Sequence, residues 1–326
     1  MSCYGSDYEL IRTAGDWLRQ GHPLRLVTVL KTWGSSPRPA GSMLVMRKDG
    51  VHLGSVSGGC VEEDLIRRFR DDELSERLPV LIDYGVNREE AARFGLPCGG
   101  RLELLIESLT EADSLQPLLE AMQQQRLPAR AVDLKTGAVV FSTARPDQEF
   151  SYTEDRVSRV FGPQWRMLLI GAGHLSRCVS RVATMLDYRV IVCDPREEYA
   201  ESWSEEGTEL TTIMPDEAVA AYTGHERTVV IALTHDPKLD DMALLDALES
   251  DAFYVGAIGS VRNCEARRKR LLQMGLTTKQ VNRLRAPVGL AIGSHTPAEI
   301  AVSILAEVTA RRNAVKQTTR KQVSAA

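Results

Sequence analysis

Residues 166–198, RMLLIGAGHLSRCVSRVATMLDYRVIVCDPREE, constrain the fold more than any other stretch of this chain. Met167–Ile170 is a short apolar run that ends in Gly171-Ala172-Gly173. From Leu175 the apolar residues recur at helical spacing: Leu175, Cys178, Val179, Val182 and Leu186. Arg189–Cys193 is a second run rich in β-branched residues, closed by Asp194. The order is strand, glycine turn, helix, strand, the opening unit of a doubly wound nucleotide-binding domain. Gly171 permits a tight turn, and Gly173 lets backbone approach a pyrophosphate held at a helix N-terminus. Ser176, small but not glycine, takes the third place of the G-x-G-x-x-G pattern. Asp194 lies 23 residues after Gly171, near the place where an acid would meet a ribose hydroxyl. His174 sits in the first turn of the helix, facing either a ligand or solvent.

A chain of 326 residues has room for two domains. An apolar share of 43% alongside 26% charged residues predicts an ordinary soluble core. The net charge of −4 gives no electrostatic reason to expect nucleic acid. Neither a signal-like start nor an apolar stretch of membrane-spanning length is present, so a cytoplasmic protein with reduced thiols is expected. The cysteines Cys3, Cys60, Cys98, Cys178, Cys193 and Cys264 never fall at C-x-x-C spacing, which argues against a structural zinc site. Cys178 and Cys193 lie on the apolar pattern and are expected in the core.

Ahead of this unit the chain alternates strand and helix signals without clean βαβ order. A helix is expected over 6–20, strands at Leu26–Leu30, Met43–Met46 and Val51–Val56, the last two joined by Asp49-Gly50. A helix follows Ser57-Gly58-Gly59-Cys60, with Glu62, Glu63 and Asp64 in its first turn. Strands at Pro79–Ile82 and Leu102–Ile106, a helix at Leu115–Gln125 and a hairpin over Ala131–Phe141 complete an α+β domain. The domain plan is 1–145 for this part, 146–165 as a polar linker, 166–312 as the Rossmann-like domain, and 313–326 as a basic disordered tail. Within the second part a helix is expected at Met242–Leu248, with Asp240 and Asp241 as acids of its first turn. Thr296 as N-cap, Pro297 at N1 and Glu299 at N3 mark the start of the last helix.

Cys60 is the foremost chemical candidate. The glycines before it leave backbone N–H groups to converge on an anion, and the following helix adds positive potential that favours a nucleophilic or metal-binding thiolate. The competing reading is a small buried residue in a tight turn. Cys98 before Gly99-Gly100 repeats the pattern without the helix. His235 and Asp236 follow the buried run Thr228–Leu233, at the strand end where open α/β sheets take ligands. They suit orienting a ligand, binding a metal or moving a proton, or belong to a helix start. Gly256 near the end of the strand Ala252–Ile258, with Gly259 and Ser260 just after it, is placed to line the same crevice, and Gly293, Ser294 and His295 precede the capped helix.

Taken together, Ser57–Glu62 (SGGCVE), Pro97–Gly100 (PCGG), Gly171–His174 (GAGH), Cys193–Arg196 (CDPR), Thr234–Asp241 (THDPKLDD), Tyr254–Ser260 (YVGAIGS) and Thr296–Ile300 (TPAEI) resemble the xanthine dehydrogenase accessory proteins, the XdhC/CoxI family. The resemblance implies an α/β architecture, with a C-terminal Rossmann-like doubly wound parallel sheet preceded by a smaller α+β XdhC/CoxI domain. It implies a chaperone rather than a turnover enzyme, one that binds molybdenum cofactor (molybdopterin) and helps insert it into a molybdenum hydroxylase of the xanthine dehydrogenase type. The apoenzyme is then the partner, together with enzymes that make or sulfurate the cofactor, and a homodimer is expected. The cofactor-facing set is Ser57, Gly58, Gly59, Cys60, Cys98, Gly99, Gly171, Gly173, His174, Asp194, His235 and Asp236, with Cys60 as the molybdenum contact. The alternatives are an NAD(P)-dependent oxidoreductase, using Gly171, Gly173, Asp194 and His235, and a regulatory protein that senses NAD(P) or another nucleotide.

Overall fold

The computed structural model describes residues 5–33, 38–74, 79–85, 101–124, 126–144, 148, 150–162, 165–224 and 226–323. The chain divides into two compact units, Ser6–Gly162 and the part that begins at Pro163.

In the first unit, α1 (Gly5–Arg19) leads into β1 (Leu24–Trp33), followed by β2 (Met43–Arg47), β3 (His52–Gly54), α2 (Cys60–Arg70), β4 (Val80–Tyr84) and β5 (Arg101–Leu109). These strands form an antiparallel sheet in the order β3-β2-β1-β5-β4. Asp49-Gly50 turns the β2–β3 hairpin as expected, with Gly50 at φ 98°, a conformation that favours glycine. On α2 the residues Val61, Leu65 and Phe69 stack along one face and enter the core with Val27, Val29, Leu44 and Leu104. That packing fixes the start of the helix, and with it Cys60.

A short 3₁₀ turn and α3 (Gln116–Gln123) lead to a second antiparallel sheet of β6 (Pro128–Asp133), β7 (Val139–Thr143), β8 (Ser151–Tyr152) and β9 (Arg156–Val160), ordered β7-β6-β9-β8. The hairpin expected over 131–141 is β6–β7. The linker expected over 146–165 is corrected: β8 and β9 lie inside it, and β9 pairs along β6. Its polar composition reflects a sheet with one exposed side, where residues such as Val157 and Val160 are buried. Two ion pairs tie the unit together. Arg130 grips Glu107 through two bonds of 2.7 and 3.1 Å, both residues buried, and Arg159 holds Asp7 of α1 at 2.8 and 3.1 Å.

The second unit contains β10 (Trp165–Ile170), α4 (His174–Met185), β11 (Tyr188–Cys193), α5 (Glu197–Glu201), β12 (Thr208–Thr211), α6 (Pro215–Tyr222), β13 (Thr228–Ala232), α7 (Pro237–Glu249), β14 (Tyr254–Ala257), α8 (Val261–Gln273), α9 (Thr278–Val281), β15 (Leu284–Arg285) and α10 (Pro297–Val323). All strand pairs are parallel, in the order β12-β11-β10-β13-β14-β15. Counted from β10 this is the doubly wound 3-2-1-4-5-6 sequence, whose strand order reverses between β10 and β13. The period of two along β10 feeds both faces. Leu168 and Ile170 join Val230, Leu244 and Leu248 in one cluster, while Met167 and Leu169 join Val179, Ile304 and Val308 in the other. Cys193 is fully buried and Cys178 packs at the edge of the core, in line with their place in the apolar pattern.

The final helix starts as its capping box predicts: Glu299 Oε2 accepts from Thr296 N (2.9 Å), and Glu299 N donates to Thr296 Oγ1 (3.3 Å). It continues to Val323, so the expected disordered tail is corrected over 313–323. No glycine or proline interrupts the stretch, and its residues tolerate a helix.

Candidate functional site

In the first unit, the turn ahead of α2 is folded around an acid. Glu62 is buried at the third position of the helix and reaches back over the turn. Its Oε1 accepts from the N–H groups of Val56 (2.9 Å), Ser57 (2.8 Å) and Gly58 (2.9 Å) and from the Ser55 hydroxyl (2.8 Å). Its Oε2 accepts from the Gly59 N–H (2.9 Å) and the Ser57 hydroxyl. Burial alone would push this carboxyl up. The bonds from Gly58, Ser57 and Gly59 outweigh that and hold it well below the usual carboxylate range. The donors of Ser57, Gly58 and Gly59 expected to await an external anion are held by the chain's own glutamate. The turn leaves Cys60 exposed as the first residue of α2, so it is not the buried residue of the competing reading. Gly58 has φ 100°, and a β-carbon built at Gly58 or Gly59 would meet nothing within 4 Å, so the surface beside Cys60 is open. Cys98 and Gly99 lie outside the described residues.

The glycine turn of the second unit is built differently. Gly171 has φ 106°, donates to Cys193 O at 2.7 Å, and a β-carbon there would lie 2.9 Å from Thr234 Cγ2 and 3.1 Å from its backbone. Only glycine lets the turn after β10 pass so close to the turn after β13. Gly173 caps α4 and has open space where a β-carbon would stand, and His174 beside it is exposed. Ser176 is fully buried, as a small residue must be where α4 meets the sheet. Asp194 is also fully buried. Its Oδ2 accepts from Ala172 N (2.8 Å) and Arg196 Nη2 (2.8 Å), and its Oδ1 accepts from Arg196 N (3.1 Å) and Nε (2.9 Å). Burial opposes the charge, but Arg196 and the Ala172 N–H lower this carboxyl below its ordinary value. Oδ2 clips the glycine turn to the end of β11, and Oδ1 is taken by Arg196. Asp194 thus ties the glycine turn to Arg196 at the place where a ribose contact was expected.

Two family models match the chain: one described as XdhC and CoxI family over residues 17–85, the other as XdhC Rossmann domain over residues 167–308. The chain belongs to the XdhC/CoxI family. Among its relatives, the molybdenum cofactor insertion chaperone PaoD of Escherichia coli is 27% identical, over 93% of this chain and 88% of that protein. A protein of Bacillus subtilis described as a probable xanthine dehydrogenase component is 26% identical, over 89% of this chain and 93% of that protein. A crystal structure described as a xanthine dehydrogenase from Bacillus halodurans shares the fold, with a TM-score of 0.73, 23% identity, and 95% and 96% of the two chains covered.

In this XdhC/CoxI chain the loop after β13 carries a strained residue. His235 is exposed and holds φ 62°, uncommon for anything but glycine. Its neighbours keep it there. Thr234 donates from N (3.1 Å) and Oγ1 (2.7 Å) to Asp240 Oδ1, and Asp236 N donates to Thr234 Oγ1 at 2.9 Å. Asp236 is the N-cap of α7, accepting from Lys238 N at 2.9 Å. The helix therefore begins at Pro237, ahead of the expected Met242, and places Asp240 and Asp241 inward instead of capping. Arg267 of α8 meets Asp240 at 2.7 Å, Asp241 at 3.1 Å and Ile258 O at 2.9 Å, and Arg270 meets Asp241 at 2.6 Å. Burial still pushes the Asp240 carboxyl up.

Sequence reasoning placed Glu62 in the first turn of its helix but missed its role, and it missed Arg267 and Arg270. The signal for Glu62 was present: an acid at N3 that can return to the N-cap N–H. For Arg267 it was an arginine in the buried stripe Cys264–Arg267–Leu271. Gly256 and Gly259, expected to line the crevice, serve packing. A β-carbon at Gly256 would lie 2.6 Å from Val288, and one at Gly259 would lie 3.1 Å from Cys264 Sγ. Ser260 caps α8, with Asn263 N at 3.3 Å. Among the described residues, no group of three or more His, Cys, Asp or Glu side chains is arranged to hold a metal ion.

Proposed function

We propose that this protein binds molybdenum cofactor as cargo and helps mature and insert it into a molybdenum hydroxylase of the xanthine dehydrogenase type. The observation that carries the reading is Cys60: an exposed thiol on a glycine turn whose backbone donors are already satisfied. A thiolate is a soft ligand and suits a molybdenum–sulfur centre, whereas the N–H groups of Val56 to Gly59 are already held by Glu62. Membership of the XdhC/CoxI family and the likeness to PaoD support the same reading. In the second unit, Gly173 and the exposed His174 at the start of α4 offer the helix N-terminus for a phosphate of the cofactor or of a nucleotide, with His235 as a further polar contact. The reading includes a cytoplasmic setting and a homodimer, which light scattering tests. No helix among the described residues is long and apolar enough to cross a membrane.

The test is cofactor content. Protein purified from a molybdenum-replete host is expected to carry molybdenum and to release the fluorescent oxidation product of the pterin. Cys60→Ala is expected to lose most of both. Equal content in wild type and variant would remove Cys60 from the role, and absence of pterin from both would remove the cargo.

A further inference from the structure

Glu62 is an unusual acid for a helix start. Most acids there answer the helix N-terminus from an exposed position. This one is buried and collects six donors from Ser55, Val56, Ser57, Gly58 and Gly59. The main-chain groups of 56–59 point inward at one carboxylate, the arrangement by which a backbone turn binds an external anion. The carboxylate is tethered, so a free phosphate would have to displace a group already held beside its donors. The side chain next to this closed nest, Cys60, is exposed.

We infer that Glu62 is the positioning residue of the Cys60 turn: its carboxylate is the standing occupant of the nest, so the turn offers a ligand the Cys60 sulfur and withholds the N–H groups of Val56 to Gly59. The inference rests on the reading of Cys60 as the cofactor-facing residue and adds a rule of selection to it. The first unit takes its ligand through a soft atom, and an oxyanion is turned away by a carboxylate already in place. Gly58 is needed at φ 100° to aim its N–H at Glu62, and Ser57 contributes both its N–H and its hydroxyl.

Amide hydrogen exchange reads the nest directly. In the wild type, Gly58 and Gly59 are exposed residues whose N–H groups should nevertheless exchange slowly. Random-coil exchange at both would overturn the inference without any variant. In Glu62→Ala the amides of 56–59 should exchange at least about tenfold faster, the loss of one charge-assisted bond each. Excess acetate or inorganic phosphate should restore part of the protection in the variant and change nothing in the wild type. A merely structural role would give no such rescue. Cofactor retention should fall in Glu62→Ala although Cys60 is intact, and rise again when the protein is prepared with acetate. Full retention in Glu62→Ala would overturn the positioning role. Failure of the cofactor reading has another signature. Cys60→Ala then retains pterin, while the exchange contrast between wild type and Glu62→Ala persists and still decides whether Glu62 holds the turn.

Discussion

Both units place a glycine turn before a helix, and both turns are tied by a buried acid, yet the two are wired in opposite senses. At Ser57–Glu62 the acid comes from the helix itself and consumes every main-chain donor from Val56 to Gly59. At Gly171–His174 the acid comes from the end of the neighbouring strand, takes only the Ala172 N–H, and is neutralised by Arg196. In the first turn the N–H groups of Val56 to Gly59 are bonded to Glu62 and Cys60 is exposed. The second leaves open space at Gly173 and an exposed His174 beside it. A glycine pattern announces that backbone donors converge. It says nothing about whether the chain itself has already used them.

The glycines should separate the two turns most sharply. Gly171→Ala forces a side chain onto the Thr234 backbone in a left-handed conformation and should cost roughly 3 kcal/mol in denaturant unfolding. Gly58→Ala meets no neighbour, so only its φ of 100° is penalised, about 1 kcal/mol. Equal losses would mean that Thr234 gives way and the second turn is looser than described.

Acid should weaken both turns, the first more. Glu62 and Asp194 both titrate below the ordinary carboxylate range in the folded chain. On acidification the unfolded chain takes up these protons first, so each contribution is complete above about pH 5 and is lost as pH falls through the folded value. The pH-dependent part for Glu62 should be about 2 kcal/mol, measured as the stability difference between wild type and Glu62→Ala across that range. A difference that does not shrink with acid would mean the nest does not depend on charge.

The smallest effect should carry the opposite sign. His235→Gly relieves a left-handed conformation and should stabilise the second unit by up to about 1 kcal/mol, seen as a higher unfolding midpoint. If pterin content falls at the same time, His235 is held under strain for a ligand. If stability drops, the imidazole makes packing contacts that outweigh the strain.

Much of the architecture was legible because it is local. The runs at Met167–Ile170 and Arg189–Cys193, the helical spacing from Leu175 to Leu186, and the Thr296–Glu299 box each declare an element within a dozen residues. The sheet of β6 to β9 was missed where its strands are short and one-sided, so that a polar stretch with two buried valines read as a linker. Cys60 was legible as a candidate, but its exposure was not. Asp194 was placed correctly at the end of its strand, while its bonds to Arg196 were not legible.

What the sequence determined by itself is the order of elements, the doubly wound second unit and the positions of the two glycine turns, because apolar periodicity and backbone freedom act over neighbouring residues. What only the tertiary structure decided is the partner of each charge. Asp240 and Asp241 meet Arg267 and Arg270 of a different helix, and Glu62 folds back onto its own turn instead of facing water. A buried charge takes whichever donors packing brings within reach, and in the second unit that packing joins elements far apart along the chain.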